Sequence, residues 1–353
     1  MKLRCLTRNN RQTRTAFLNL PKKLYQDEKR LNTYEIENEL LKKKHPISQD
    51  VEIFPFVVVD NENNPICRCM MTYYPEDPVA YVGFFEAENN LDAVKKMFAY
   101  VERRATLDKK HKILGPIDVS IYINARFKTD NFDSVYTGEP YNKDYYPTLW
   151  ESVGFQICEK CKSYMVDPDS LNKCDNTNSV YQRCIEAGYE FISASALDFE
   201  SCLEDIHELA TRAYDPGMGH KPLTQDQFVE MFYHLIDFTD HMIKLMYKDG
   251  KIKAFCLAIP NYGELTRGNV NTKRFFKVIK ARTNVSEYVI LAIVADEESP
   301  ELKDALIECI VNELKVNNQS AIIALAQGNT FVNLFGEEFK RESNYVLMSK
   351  NIS

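Results

Sequence analysis

An α/β fold built from two successive units, each a mixed twisted sheet flanked by helices, is predicted by three observations. The chain has 353 residues, more than one hydrophobic core usually serves. Short apolar runs alternate with segments of helical hydrophobic period along its length. One order of elements (helix, hairpin, strand, long helix, strand, short helix, closing strand) is read twice.

In the first pass, residues 35–44 form a helix closed before Pro46. Residues 54–59 and 66–74 flank the turn Asp60-Asn61-Glu62-Asn63-Asn64 as a hairpin. Residues 80–85 are an apolar strand. Residues 91–106 follow as a helix, with Leu91, Val94, Phe98 and Val101 on one face and Lys95, Lys96, Glu102 and Arg103 on the other. A short strand ends at Leu114-Gly115-Pro116, and a helix lies near residues 146–152. Gly154-Phe155 opens a strand pair that ends at Tyr164-Met165-Val166. The expected division is a first domain at 1–167, a polar linker at 168–185 and a second domain at 186–353.

In the second pass, residues 191–194 are a strand before an amphipathic helix carrying Leu203, Ile206 and Ala210. Thr224 with Gln227 three residues later is a capping box for the helix 224–235. Residues 242–247 and 252–259 form a hairpin around Asp249-Gly250. A strand at 288–294, a helix marked by Leu302, Leu306, Ile310 and Leu314, a strand at 321–326, a short helix at 330–335 and a strand at 345–348 complete the repeat. Shared order with little shared identity points to an old duplication.

Composition limits the function classes. Hydrophobic residues make up 44% and charged residues 27%, as in ordinary soluble domains, and no apolar run reaches the roughly 20 residues of a membrane span. A net charge of −7 argues against nucleic acid; neither nucleic acid nor membrane is an expected partner. The basic stretch Arg4, Arg8, Arg11, Arg14, Lys22 and Lys23 reads as folded chain and not as a targeting segment. Ten cysteines fit a reducing, cytoplasmic setting. Cys158 and Cys161 read as two thiols around a hairpin, and Cys67 and Cys69 as packing residues on one strand face. His207, His220, His234 and His241 have no metal-ligand spacing, and no metal is expected.

Three stretches carry a resemblance: Gly83-Phe84-Phe85-Glu86; Gly115-Pro116-Ile117-Asp118-Val119-Ser120 with Asn124; and Tyr145-Tyr146 through Glu151-Ser152-Val153-Gly154-Phe155. With the element order, and with Lys221-Pro222-Leu223-Thr224 through Leu257-Ala258-Ile259-Pro260 in the second half, they resemble a bacterial tandem family of GNAT acyltransferases. The resemblance covers nearly the whole chain. It implies that acetyl-CoA or another acyl-CoA lies between two splayed parallel strands as substrate, its pyrophosphate at the turn opening the next helix, and that the acceptor is a small-molecule amine.

On that reading Phe84, Phe85, Asn89 and Asn90 would meet the CoA. Glu86 is the candidate base, and Tyr145 or Tyr146 the candidate acid. Trp150 stands where the family often has a tyrosine, and an indole has no titratable proton. Ser120, Tyr122 and Asn124, beyond the facing strand, are candidate substrate contacts. The segment 125–142, with Phe127, Phe132, Tyr136 and Tyr141, reads as a lid or binding loop. The matching second-half turn, Asp296-Glu297-Glu298-Ser299-Pro300-Glu301, is acidic and reads as structural capping. The expected function is acyl-CoA-dependent N-acyltransfer in the first half; the alternative is a non-catalytic chain that binds a small molecule or a partner. Aminoacyl transfer of the peptidoglycan type would call for a helical insertion with no counterpart in this sequence. Oligomeric state is not legible.

Overall fold

A computed structural model describes residues 1–5, 11–25, 30, 32–172, 179–194, 196–213, 219–236, 242–267, 272–282, 284–326 and 341–352. In the first half, α1 (Arg11–Leu24) and α2 (Tyr34–Leu41) follow the short strand β1 (Lys2–Cys5). β2 (Glu52–Val59) and β3 (Pro65–Tyr73) form the expected hairpin. The Asp60 carboxylate closes it by accepting from the amides of Glu62 and Asn64, at 2.9 and 2.8 Å. β4 (Val79–Ala87) pairs antiparallel with β3 and parallel with β5 (Lys112–Gly115). The crossover is α3 (Leu91–Leu107), whose N-cap Asn90 accepts from the Ala93 amide at 3.1 Å. A two-residue strand β6 (Phe127–Lys128), the helix α4 (Tyr146–Glu151) and the strand β7 (Gln156–Val166) end this half.

The second half runs through α5 (Pro168–Asn172), α6 (Val180–Glu186), β8 (Glu190–Ala194), α7 (Ala196–Ala213) and α8 (Gln225–Ile236). The capping box at α8 is made in both directions: the Thr224 amide donates to the Gln227 side chain at 3.0 Å, and the Gln227 amide to the Thr224 hydroxyl at 3.3 Å. β9 (Met242–Lys248) and β10 (Lys251–Pro260) meet at Asp249 and Gly250, both with left-handed φ (50° and 72°); that is what the right-handed twist of a tight hairpin needs. After α9 (Thr272–Arg282), β11 (Glu287–Ala295) crosses through α10 (Glu301–Asn317) to its parallel neighbour β12 (Ser320–Ala326), and β13 (Arg341–Asn351) follows.

The expected strand pair at 155–166 is corrected. β7 is one unbroken strand, and its partners come from the second half: β13 lies between β5 and β7, and β7 between β13 and β12. Each half thus gives a strand to the other's sheet, and a single 13-stranded sheet results. The hairpin expected around Cys158 and Cys161 is absent for the same reason. The two thiols sit three apart on one strand, Cys158 exposed and Cys161 buried, as the period-2 alternation of a strand requires.

α3 packs Met97, Phe98 and Val101 on one face of the sheet in the first half, and α10 packs Leu302, Leu306 and Ile310 in the second. On the opposite face one cluster is common to both halves. It joins Phe17, Leu18 and Leu40 to Leu203, Ile206 and Phe228. The helix expected at 330–335, Cys174, His241 and the side chain of His234 lie outside the described residues.

Candidate active site

β4 and β5 stay paired only through Val79–Tyr81 and Lys112–Leu114, then diverge. Two features drive the divergence. A bulge sets Phe84 and Phe85 against one residue of β3, with Phe84 in the left-handed region at φ 45°; and the chain beyond β5 crosses close over Gly83, where an added Cβ would lie 2.0 Å from the Ile117 carbonyl oxygen. Val119, across the gap, is also left-handed at φ 64°. Such positions cost about 1–3 kcal/mol each for bulky residues and gather at functional sites.

In the first half this gap is filled by the chain itself. The Asp118 carboxylate accepts from the Phe84 amide. The Ala87 amide donates to the Tyr146 hydroxyl at 3.0 Å, and the Ala87 carbonyl accepts from the Tyr145 hydroxyl at 2.9 Å. The Phe84 amide and both backbone groups of Ala87 are therefore hydrogen-bonded to side chains of this half, and the Val82 carbonyl to the Ile117 amide at 2.9 Å. Behind them Trp150, fully buried, packs on Phe85, Phe98, Phe127 and Phe155 at ring separations of 4.5–5.5 Å. The cavity left, between Arg30, Glu86, Asp118, Asn124 and Arg126, is about 40 Å³. That is room for a few waters, where ligand pockets run to about 300–1,000 Å³.

Charges around that cavity are paired. Glu86 accepts from Arg30 Nε at 2.6 Å and from the Tyr146 hydroxyl at 2.8 Å. Arg30 also reaches Glu37 at 3.1 Å, which in turn holds the buried Arg68 at 2.5 Å. Burial, then the neighbouring Glu86, raises the Tyr146 phenol well above its ordinary value; the same two causes push Tyr145 up to about 12. Both hydroxyls stay protonated and committed. Burial lifts Asp118 to about 6, against the opposing bonds from Phe84 and Asn124.

Asp118 gives a pH prediction. Its folded value lies above the ordinary 3.8, so its contribution is fully present below 3.8 and is lost as pH rises through about 6. Asp118→Asn keeps an acceptor for the Phe84 amide and removes the charge. Relative to this variant, the parent protein is expected to lose up to about 3 kcal/mol between pH 4 and 7. Urea melts at a series of pH values measure it; parallel stability profiles for the two proteins would refute it.

The expected substrate contacts are arranged as follows. Asn124 donates to Asp118 at 2.9 Å. The Ser120 hydroxyl accepts from the Tyr122 amide at 3.3 Å, and Ser120 is 2% exposed. The Tyr122 hydroxyl lies 2.7 Å from Nε2 of His220. Asn90 is the α3 cap, with Asn89 beside it in the same turn. The lid expectation for 125–142 is corrected: Phe127 and Tyr136 are core residues, and the loop is tied down. The buried pair Lys128–Glu139 at 2.6 Å and the Arg267 bonds to the Tyr136 and Glu139 carbonyls at 2.5 and 2.9 Å hold it. His207 is an ordinary satisfied histidine, Nε2 at 2.7 Å from the Leu223 carbonyl.

The second half has a matching gap. Its parallel pair is Glu287–Ile290 with Ser320–Ile323, and a bulge follows at Leu291. The Asp296 amide bonds the Lys253 carbonyl at 2.8 Å, so alternation turns the backbone groups of Ile293 and Ala295 away from β10 and into the gap. Asp296, at the turn, is held below its ordinary value by the Lys253 hydrogen bond. Lys253 lies at 3.1 Å and Arg212 at 4.0 Å. Glu297 and Glu298 are exposed. Sequence reasoning passed over this edge because it weighed the acidic turn and not the strand beside it. It also missed Arg30, which lies in a polar stretch without period; Asp118 stood in a quoted motif. Among the described residues no cluster of metal-ligating side chains occurs, and no helix is long and apolar enough to cross a membrane.

Two bulged, splayed parallel pairs, each crossed by one long helix, define the tandem GNAT fold, and this chain has it. A tandem GNAT protein from the clavulanic acid biosynthesis pathway, solved without acetyl-CoA, matches over 99% of this chain and 98% of its own, at 11% identity and TM-score 0.52. A GCN5-related N-acetyltransferase from Anabaena variabilis matches over 100% of this chain and 73% of its own, at 8% identity and TM-score 0.54. One from Kribbella flavida matches over 99% and 72%, at 11% and 0.50. No family model matches the sequence, and no curated protein does. At these identities the likeness is one of fold.

Proposed function

We propose that the protein is an acyl-CoA-dependent N-acyltransferase acting on a small-molecule amine in a cytoplasmic setting, with the donor taken by the second half. The first half, residues 1–167, serves as the closed unit. This reverses the half expected from sequence. One observation carries it: the first gap is already taken, the Ala87 amide and carbonyl being bonded by Tyr146 and Tyr145 with only about 40 Å³ left beside them, which leaves the donor the second splayed pair, where strand alternation points the Ile293 and Ala295 amides into the gap. Those amides would hold the pantetheine arm of a CoA thioester, and the thioester supplies the acyl group. The roles first given to Glu86, Tyr145 and Tyr146 then become structural. Glu86 is locked to Arg30, and both phenols are spent on β4.

Trp150 is the only tryptophan and lies buried directly behind the first gap, so it reports which half responds. Saturating acetyl-CoA is expected to raise the melting temperature, by about 2.7 kcal/mol of stabilisation at a hundred times Kd, and to leave Trp150 emission unchanged. Ile293→Pro removes one gap-side N–H without touching the β10 ladder and should weaken binding about tenfold; Tyr146→Phe should not. A change in Trp150 emission would return the donor to the first half. The acidic turn at Asp296 favours the non-catalytic reading, and absence of stabilisation by acetyl-CoA and longer acyl-CoAs alike would establish it.

A further inference from the structure

The two halves differ in the connection between their third and fourth matching strands. In the first half β3 and β4 are joined by residues 74–78; in the second, β10 and β11 are joined by residues 261–286, which contain α9. The base of this insertion is fixed to the first half. Thr137 donates its amide to Asn261 at 2.9 Å, and Arg267 is buried on the 136–139 loop. α9 itself has the sequence TKRFFKVIKAR. Between Glu264 and Glu287 the chain has no acid, while Lys273, Arg274, Lys277, Lys280 and Arg282 fall within α9. A chain of net charge −7 thus carries a concentrated basic stretch at α9.

That stretch is also apolar. Phe276 and Ile279 are 64% and 43% exposed, and Lys277 and Lys280 beside them are exposed too. Helical spacing sets Phe276, Ile279 and Lys280 on one side of the helix. Lysines beside exposed aromatic and branched side chains match one partner chemistry. A surface of anionic lipid takes the charges at its headgroups and the ring and methyls at the acyl boundary. A nucleic-acid duplex would use the lysines and leave Ile279 without a role.

We propose that α9 docks the protein reversibly on anionic membrane surfaces, which revises the expectation of no membrane contact and stands apart from the acyl-transfer reading. The test is flotation of the full chain with vesicles of phosphatidylcholine alone or with about a third phosphatidylserine. Binding is expected only to the anionic vesicles. It should fall by more than about tenfold in Lys277→Glu/Lys280→Glu, and about fivefold in Phe276→Ser/Ile279→Ser, where charge is unchanged. Both pairs are at the surface, and a melting curve matching the parent confirms folding. No flotation at low salt, full flotation of the Phe276→Ser/Ile279→Ser protein, or equally tight capture by a DNA duplex would overturn the proposal.

Discussion

Arg68→Met is expected to destabilise the protein by about 3–5 kcal/mol. Arg68 is fully buried, holds Glu37 through both terminal nitrogens at 2.5 and 3.0 Å, donates to the Phe17 carbonyl at 2.8 Å and lies over the Phe17 ring. Burial alone would raise the Glu37 carboxyl, but Arg68 outweighs it and holds Glu37 below its ordinary value. Without the guanidinium, a carboxylate 1% exposed keeps Arg30 at 3.1 Å and the Thr33 hydroxyl at 2.5 Å. A depressed acid stabilises the fold above its ordinary value and loses that contribution as pH falls through the folded one. The deficit of the variant should therefore shrink below about pH 4. Glu37→Leu combined with Arg68→Met should recover most of the loss, because two absent charges cost less than one unpaired charge. Chemical denaturation of the three proteins decides it; a double variant no better than the single one would show that the pair does not act as a unit.

Trp150→Ala should cost about as much, roughly 3–5 kcal/mol. The indole fills the space between α4, α3 and the start of the gap, against four aromatic rings and within 2.9 Å of a Cβ built on Gly115. Neighbours already bonded elsewhere cannot close such a void: Tyr146 is tied to Glu86 and Ala87. Trp150→Phe keeps an aromatic contact and should lose less. Circular dichroism during urea unfolding measures both. A loss under about 1 kcal/mol for the alanine variant would mean that the ring is not packed as a plug.

Local physics was the legible part. The α3 stripe, the Asp60 and Asp249 turns and the Thr224 box depend on residues within a few positions of one another, so sequence states them directly. Partner choice is different. β7 and β13 each read as a strand, but nothing local says that β13 enters the first sheet, because pairing joins residues nearly two hundred positions apart. The candidate site divided in the same way. Glu86 and Tyr146 were each legible as site candidates through the motifs that carry them. Whether the Tyr146 hydroxyl serves a ligand or the Ala87 amide depends on where α4 sits, a tertiary matter. Phe127 and Tyr136 resembled lid residues because a loop without period gives no hint of its own burial.

The strand trade between β7 and β13 has a consequence for synthesis. The slot between β5 and β7 cannot be filled until residues 341–351 have emerged, so the earlier half cannot be finished while the later one is still being made. Biogenesis is thus a single closing event: a chain released before β13 leaves a raw seam at the middle of the sheet, open to pairing with its neighbours.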